Sequence, residues 1–294
     1  MGIRAVSIGA GVLLAIALAT IGILLTVGSR RWQRETDKLH QLQDKAPHSE
    51  RDIRYEPADL AELPEPVQRY LQTVLTPGQP MVSAVHIVHS GAFNMNETGE
   101  QWRPFRSTQR VLTRGPSFVW DGRIRMLPGL QAHVHDAYVD GGGILYAALL
   151  GLVPVADIRG TPEIARGELM RYLAETAWYP TVLLPGQGVT WTAVDDTSAD
   201  ATLSDGETTV TLRFTFNSEH LIASVYAAER DRTVGDATEP TPWDGRFSNY
   251  RWQDGMLVPM DGDVGWILPE VRLSYWRGRI EEITYQFACA ECRF

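Results

Sequence analysis

His133 and His135 stand two residues apart and are followed by Asp136. In an extended strand the two histidines face the same side, as two metal ligands would. Asp136 faces away and would join them only through a bulge. No second cluster of histidine and acid completes such a site, since His86 and His89 fall on opposite faces of their own segment. The expectation is therefore no metal and no cofactor, with His133 and His135 as the weak candidates. Cys289 and Cys292 are the only cysteines. They form half a zinc site, or a small disulfide in an oxidising compartment, and the tail around them offers no further ligand. Asp136 with Asp140, and the adjacent Asp195 and Asp196, are the paired acids that could serve acid–base chemistry. Asp195 and Asp196 point apart and follow a strand as turn residues do.

Several chemistries are excluded outright. Lysine occurs only at Lys38 and Lys45, so residues 46–294 hold none. That removes a Schiff-base lysine, a phosphate-loop lysine and a kinase-type lysine. There is no Gly-x-Ser-x-Gly elbow, no His-Glu-x-x-His and no Gly-x-Gly-x-x-Gly. With 27 basic against 36 acidic residues, the net charge of −9 argues against nucleic acid as a partner. Two features remain. Glu168, Arg171 and Glu175 share one face of a predicted helix, and tryptophans are spread through the β-rich region.

The elements that must position these residues are mostly strands. The run 209–216 places Val210, Leu212, Phe214 and Phe216 on one side and Thr209, Thr211, Arg213 and Thr215 on the other. Asp205-Gly206 and Asp254-Gly255 sit between alternating segments and predict hairpin turns. Further strands are predicted over 82–93, 102–113, 117–127, 131–139, 188–194, 221–229, 263–268 and 280–288. Gly141-Gly142-Gly143 reads as a flexible turn. A short helix is predicted over 65–75, with Val67, Tyr70, Leu71 and Val74 on its apolar face. A longer one is predicted over 162–177, with Thr161 as its N-cap. The fold class that follows is mainly β (α+β). It is a large curved antiparallel sheet, half-barrel in type, with a few covering helices.

An anchor precedes this domain. Residues 5–27 are an uncharged, mostly apolar run of 23, long enough as a helix to span about 30 Å of hydrocarbon. The expected organisation is a transmembrane anchor over 1–28, a helical stalk and linker over 29–57, and one β-rich domain over 58–294. Arg30, Arg31, Arg34 and Lys38 follow the apolar run. By the positive-inside rule they favour a cytoplasmic domain.

The stretches LPEPVQRYL (63–71), SFVWDGRIRM (117–126), GELMRYLAETAWYPTVLLP (167–185), TPWDGRFSNY (241–250) and YWRGRI (275–280) resemble an uncharacterised bacterial family. Its members look like single-anchor membrane proteins with a C-terminal β-rich domain, and the resemblance covers about residues 60–287. The order of elements, ending in FSNYRWQDGMLVPMDGDV (247–264), is similar to the lipoprotein-carrier fold of LolA and LolB. In that fold an unclosed barrel takes acyl chains or other hydrophobic ligands on its concave face. The likeness implies a bacterial inner-membrane protein, single-pass, with an extracytoplasmic domain, against the positive-inside count.

The function expected from these readings is non-catalytic. A membrane-anchored protein binds a hydrophobic ligand, a lipid or an acyl chain, in a curved-sheet pocket. Its partners are the lipid bilayer, through Ala5–Val27, and that ligand. Trp120, Tyr172, Trp178, Trp266 and Trp276 are the expected wall. Arg171 is the expected partner of a head group or carboxylate at the mouth, with Glu175 beside it. The alternatives are an envelope interaction module without a cavity, a metal-dependent hydrolase using His133 and His135, and an acid–base enzyme using Asp136 and Asp140.

Overall fold

The structure is a computed structural model that describes residues 2–45, 53–96, 99–235 and 237–288, with side chains in the N-terminal helix given at 15–16 and from 19 onward. Cys289, Cys292 and most of the linker expected before the domain lie outside the described residues.

Thirteen strands form one sheet: β1 (Val82–Asn94), β2 (Trp102–Leu112), β3 (Ser117–Leu127), β4 (Leu130–Val139), β5 (Gly142–Leu149), β6 (Val153–Arg159), β7 (Val189–Asp195), β8 (Ser198–Asp205), β9 (Thr208–Phe216), β10 (Ile222–Val234), β11 (Ala237–Gln253), β12 (Met256–Ile267) and β13 (Arg272–Phe287). The spatial order is β6-β5-β4-β3-β2-β1-β13-β12-β11-β10-β9-β8-β7. Every pairing is antiparallel. The order is two meanders, joined where β1 meets β13.

Among the described residues three α-helices accompany the sheet: α1 (Gly2–Gln43), α2 (Glu65–Val74) and α3 (Pro162–Ala174). Thr161 caps α3 as expected, its hydroxyl accepting from the Ile164 N–H. The helix stops three residues short of the predicted end, and two 3-10 turns, Glu175–Trp178 and Pro180–Leu183, carry the chain back to the sheet.

The curl of the sheet follows from α3, which packs against both β5 and β9. In a flat sheet those strands would lie roughly 40 Å apart, several times a helix diameter. One helix reaches both only if the sheet wraps around it. The Tyr138 hydroxyl on β4 accordingly reaches Asp205 Oδ2 at the end of β8, at 2.8 Å. No pairing joins β6 to β7 among the described residues, so the barrel stays open. The concave side holds a single large core in which α2 buries Val67, Tyr70, Leu71 and Val74, and α3 buries Leu169, Tyr172 and Leu173.

The alternation did not show β5 or β6. Residues 144, 146 and 148 of β5 face outward and residues 145, 147 and 149 inward, yet α1 covers the outer side and α3 the inner. A strand covered on both faces carries no period-two signal. Gly143 opens that strand, and a Cβ there would come within 2.5 Å of the Ile164 backbone, so the glycine lets α3 sit against β5.

α1 is continuous through the expected anchor and stalk. Its last four turns do not stand free. Gly28, Trp32, Thr36, Leu39 and Gln43 form a stripe at spacings of three and four, buried on the outer face of β3, β4 and β5. Among the described residues no helix is long and apolar enough to cross a membrane. Much of Ala5–Val27 falls at positions whose side chains are not described.

Candidate functional site

Three copies of one short pattern build the concave site. Trp120-Asp121-Gly122-Arg123, Trp243-Asp244-Gly245-Arg246 and Trp276-Arg277-Gly278-Arg279 lie on β3, β11 and β13. In a strand, the first and third residues share a face. The indoles therefore point into the barrel and lie over their own glycines. A Cβ at Gly122 or Gly278 would overlap the ring two residues before it. Gly278 pairs with Gly91 on one side and Gly262 on the other, giving a glycine row beneath Trp276. The threefold recurrence of Trp-x-Gly-Arg is the signal in the sequence that marks this site.

These rings line a cavity of about 100 Å³, together with Phe93, Trp178, Phe247, Val264 and Tyr275. Arg246, Phe247, Gly262 and Asp263 also border an open groove of about 600 Å³ on the other face of the sheet. The groove is flanked by ion pairs, Arg277 with Asp263 and Arg279 with Asp261, each at 2.8 Å.

One end of the cavity is polar. Arg171 of α3 is held by Asp136 of β4 and by Glu175, whose Oε1 lies 2.8 Å from Arg171 Nε. Gln109 of β2 donates to the other oxygen of Glu175. The guanidinium lies 4.8 Å from the Phe118 ring centre and 5.6 Å from that of Trp120. Arg230 of β10 covers Trp243 at 4.8 Å and approaches Glu168 at 3.9 Å. Burial alone would lower the pKa of Arg171; Glu175, Asp136 and Glu168 around it raise it instead. Burial, and then the charge of Asp136, push the Glu168 carboxyl well above its usual range. His89, buried beside Trp178, is pushed down to about 3 by desolvation and by Arg171. Arg171 and Arg230 thus face three acidic side chains, Asp136, Glu175 and Glu168. Asp136 Oδ1, Glu168 Oε2 and the indole nitrogens of Trp120 and Trp178 are buried without a hydrogen-bond partner.

Of the residues expected at the site, Trp120, Arg171, Glu175, Trp178 and Trp276 come together on this cavity. Two do not line it. Tyr172 is on the far side of α3, packed on Tyr179, whose hydroxyl donates to the Tyr172 carbonyl at 2.9 Å. Trp266 stacks behind Tyr275 at 5.7 Å, with Arg232 over its face. Arg171, expected as a head-group partner at the mouth, is buried and already holds two carboxylates. Phe93, Trp243, Phe247 and Arg230 were missed, because only the curl of the sheet brings their strands to one place.

His133 and His135 share a face as expected, and that face is the outer one. Trp32 of α1 stacks on His135 at 4.0 Å and meets His133 edge-on at 5.2 Å. Thr36 Oγ1 lies 2.7 Å from His135 Nε2, and Asp121 accepts from Trp32 Nε1 at 2.9 Å. Burial pushes both histidines down to about 4. They seat a helix. Among the described residues no group of three or more His, Cys, Asp or Glu is placed to hold a metal. Asp140 sits in the turn after β4, away from Asp136, and Asp195 Oδ1 accepts from the Thr197 N–H at 2.8 Å, as a turn residue does.

Residues 61–285 match a family described as a family of unknown function, DUF6920. No curated protein matches the chain. The structure is similar to that of a LolA superfamily protein from Nitrosomonas europaea, at 10% identity and a TM-score of 0.38, over 75% of this chain and 92% of that one. It is also similar to a beta-barrel-like DUF1849 protein from Brucella abortus, at 11% identity and a TM-score of 0.20, over 70% of this chain and 99% of that one. Similarity at these scores says nothing about what this chain binds.

Proposed function

This chain belongs to DUF6920, a family of unknown function, and we propose that it binds the apolar end of a lipid or acyl chain in its concave cavity while Ala5–Val27 holds it at a membrane. The observation that carries the reading is the cavity itself. Protein interiors are close-packed and leave few voids larger than a water molecule. Here a space of about 100 Å³ is kept open among large aromatic rings that could have filled it.

A space of that size takes the terminal methylenes of a chain. Each 100 Å² of chain surface removed from water contributes about 2.5 kcal/mol. The buried polar end sets the selectivity. Arg171 is paired with Asp136 and Glu175 and Arg230 approaches Glu168, so each cation inside already has an acidic partner. The head group stays outside the cavity.

Native mass spectrometry of the full chain, released from detergent after loading with palmitate, tests this. One retained palmitate per chain is expected. Val264→Phe, which puts a ring into the cavity, should abolish the adduct while leaving the circular dichroism spectrum unchanged. A folded chain that emerges bare at saturating palmitate ends the reading in favour of a module without a ligand.

A further inference from the structure

Among the described residues most hairpin tips are polar, and three carry exposed apolar side chains: the β12–β13 tip, with Val271, and the two considered next. Asp205-Gly206, Asp254-Gly255 and 217–220 (Asn-Ser-Glu-His) are ordinary turn sequences. The β3–β4 tip reads Met126-Leu127-Pro128-Gly129-Leu130, and the β5–β6 tip reads Leu149-Leu150-Gly151-Leu152-Val153-Pro154-Val155. Leu127, Val153 and Val155 are 56%, 59% and 57% exposed. Leu150 has φ 52. The other non-glycine residues at positive φ are Asp140, His220, Asn249 and Asp254, the polar types that tolerate it. A leucine there is a strained choice that water-facing turn chemistry does not explain.

Both tips lie at one end of the sheet, since alternate turns of a meander share an end, and two strand spacings of about 5 Å separate them. α1 reaches the domain at that end. Gly28 is in backbone contact with Leu150, and Arg31 donates to the Leu152 carbonyl at 3.5 Å. Leu25, Ser29, Gly129 and Leu150 line one crevice. From Gly28 the helix runs along β3 and β4 to Gln43, beside Ser117 at the opposite end. Its N-terminal half therefore leaves the domain past the two apolar tips, with Ile21, Ile23, Leu24, Leu25 and Val27 exposed. Arg30, Arg31 and Arg125 are exposed at the same level.

We propose that the β3–β4 and β5–β6 tips are a membrane-seating surface, entering the head-group layer of a phospholipid bilayer beside the emerging helix. The inference rests on the membrane reading of Ala5–Val27. The occupant follows from continuity, because the apolar tips stand beside the exposed apolar residues of the helix, with Leu25 and Leu150 lining one crevice. Apolar side chains seat in the interfacial layer, and the arginines beside them meet phosphates. The domain is then held in one orientation rather than swinging on its helix.

The full chain, carrying Cys289→Ser and Cys292→Ser, is labelled with an environment-sensitive fluorophore at Leu127→Cys, at Val153→Cys or at Trp252→Cys. It is reconstituted in vesicles of phosphatidylethanolamine and phosphatidylglycerol. Trp252 is exposed beside the Asp254-Gly255 turn, at the other end of the sheet. The expected result is blue-shifted emission at 127 and 153, quenched by head-group-proximal spin-labelled lipid several-fold more strongly than at 252. Vesicle-bound chain with equal quenching at all three positions overturns the seating while leaving the membrane reading standing. Chain that floats free of the vesicles overturns both.

Discussion

β3 and β11 carry the same four residues, Trp-Asp-Gly-Arg, and the two copies behave alike on one side of the sheet and differently on the other. Inside, Trp120 and Trp243 both wall the cavity, and each has an arginine over its ring, Arg171 and Arg230. Outside, Asp244 is satisfied within the sheet by Arg246 and Arg272. Asp121 pairs with Arg123 in the same way but also accepts from Trp32 and Thr36 of α1. Strand alternation decides the inward role of the pattern, which is the same wherever it occurs. The outward role depends on what arrives to cover it. The concave face is covered by α2, just before β1, and by α3 and its two 3-10 turns, which link β6 to β7. The convex face is covered only where a helix from the start of the chain is laid on it.

The first way to break that contrast is Arg171→Ala. It leaves Asp136 and Glu175 buried without their cation, and removing one partner of a buried pair costs about 3–5 kcal/mol. The whole domain should lose that stability in urea unfolding. A change under about 1 kcal/mol would show that the concave network is dispensable.

The second compares the two aspartates. Asp121→Ala leaves the Trp32 indole N–H buried and unpaired, a cost of about 2–3 kcal/mol. That cost falls on the docking of α1, so proteolysis between residues 28 and 43 should speed up at least tenfold. Asp244→Ala should leave that rate unchanged. Equal acceleration by both would mean that α1 and the sheet open as one unit.

The smallest expected effect comes from pH. His133 and His135 have docked pKa values of about 4 against an ordinary 6.5, because burial penalises their charged forms. The released state therefore binds more protons between those values. Docking is at full strength above pH 6.5 and weakens as pH falls toward 4. His89 charges only when the concave core opens, so cleavage of α1 should accelerate on mild acidification while the domain stays folded. His135→Gln should reduce that acceleration by roughly a factor of 30 at pH 5. An unchanged profile would remove His135 from the docking.

The concave side was readable because a strand's alternation is a local property. The apolar face of residues 209–216, the cap at Thr161 and the helical spacing of Arg171 and Glu175 each follow from a few neighbouring residues. Where two covering layers erased the alternation, on β5, the strand was invisible. The polar-looking helix after residue 29 hid its role for a related reason. Its contact stripe mixes Gly28, Trp32, Thr36, Leu39 and Gln43, and so does not read as an apolar face.

What the sequence by itself determined is the antiparallel sheet, its covering helices, which side of each strand each aromatic takes, and the absence of lysine chemistry. These depend on periodicity and residue type, which act over a few residues. Only the tertiary structure decided that Arg171 is spent on Asp136 and Glu175, that Tyr172 and Trp266 stand outside the cavity, and that His133 and His135 seat a helix. Those outcomes depend on which strands the curl brings around α3 and on where α1 lies down. Such contacts join residues tens to more than a hundred positions apart, and no local pattern encodes them.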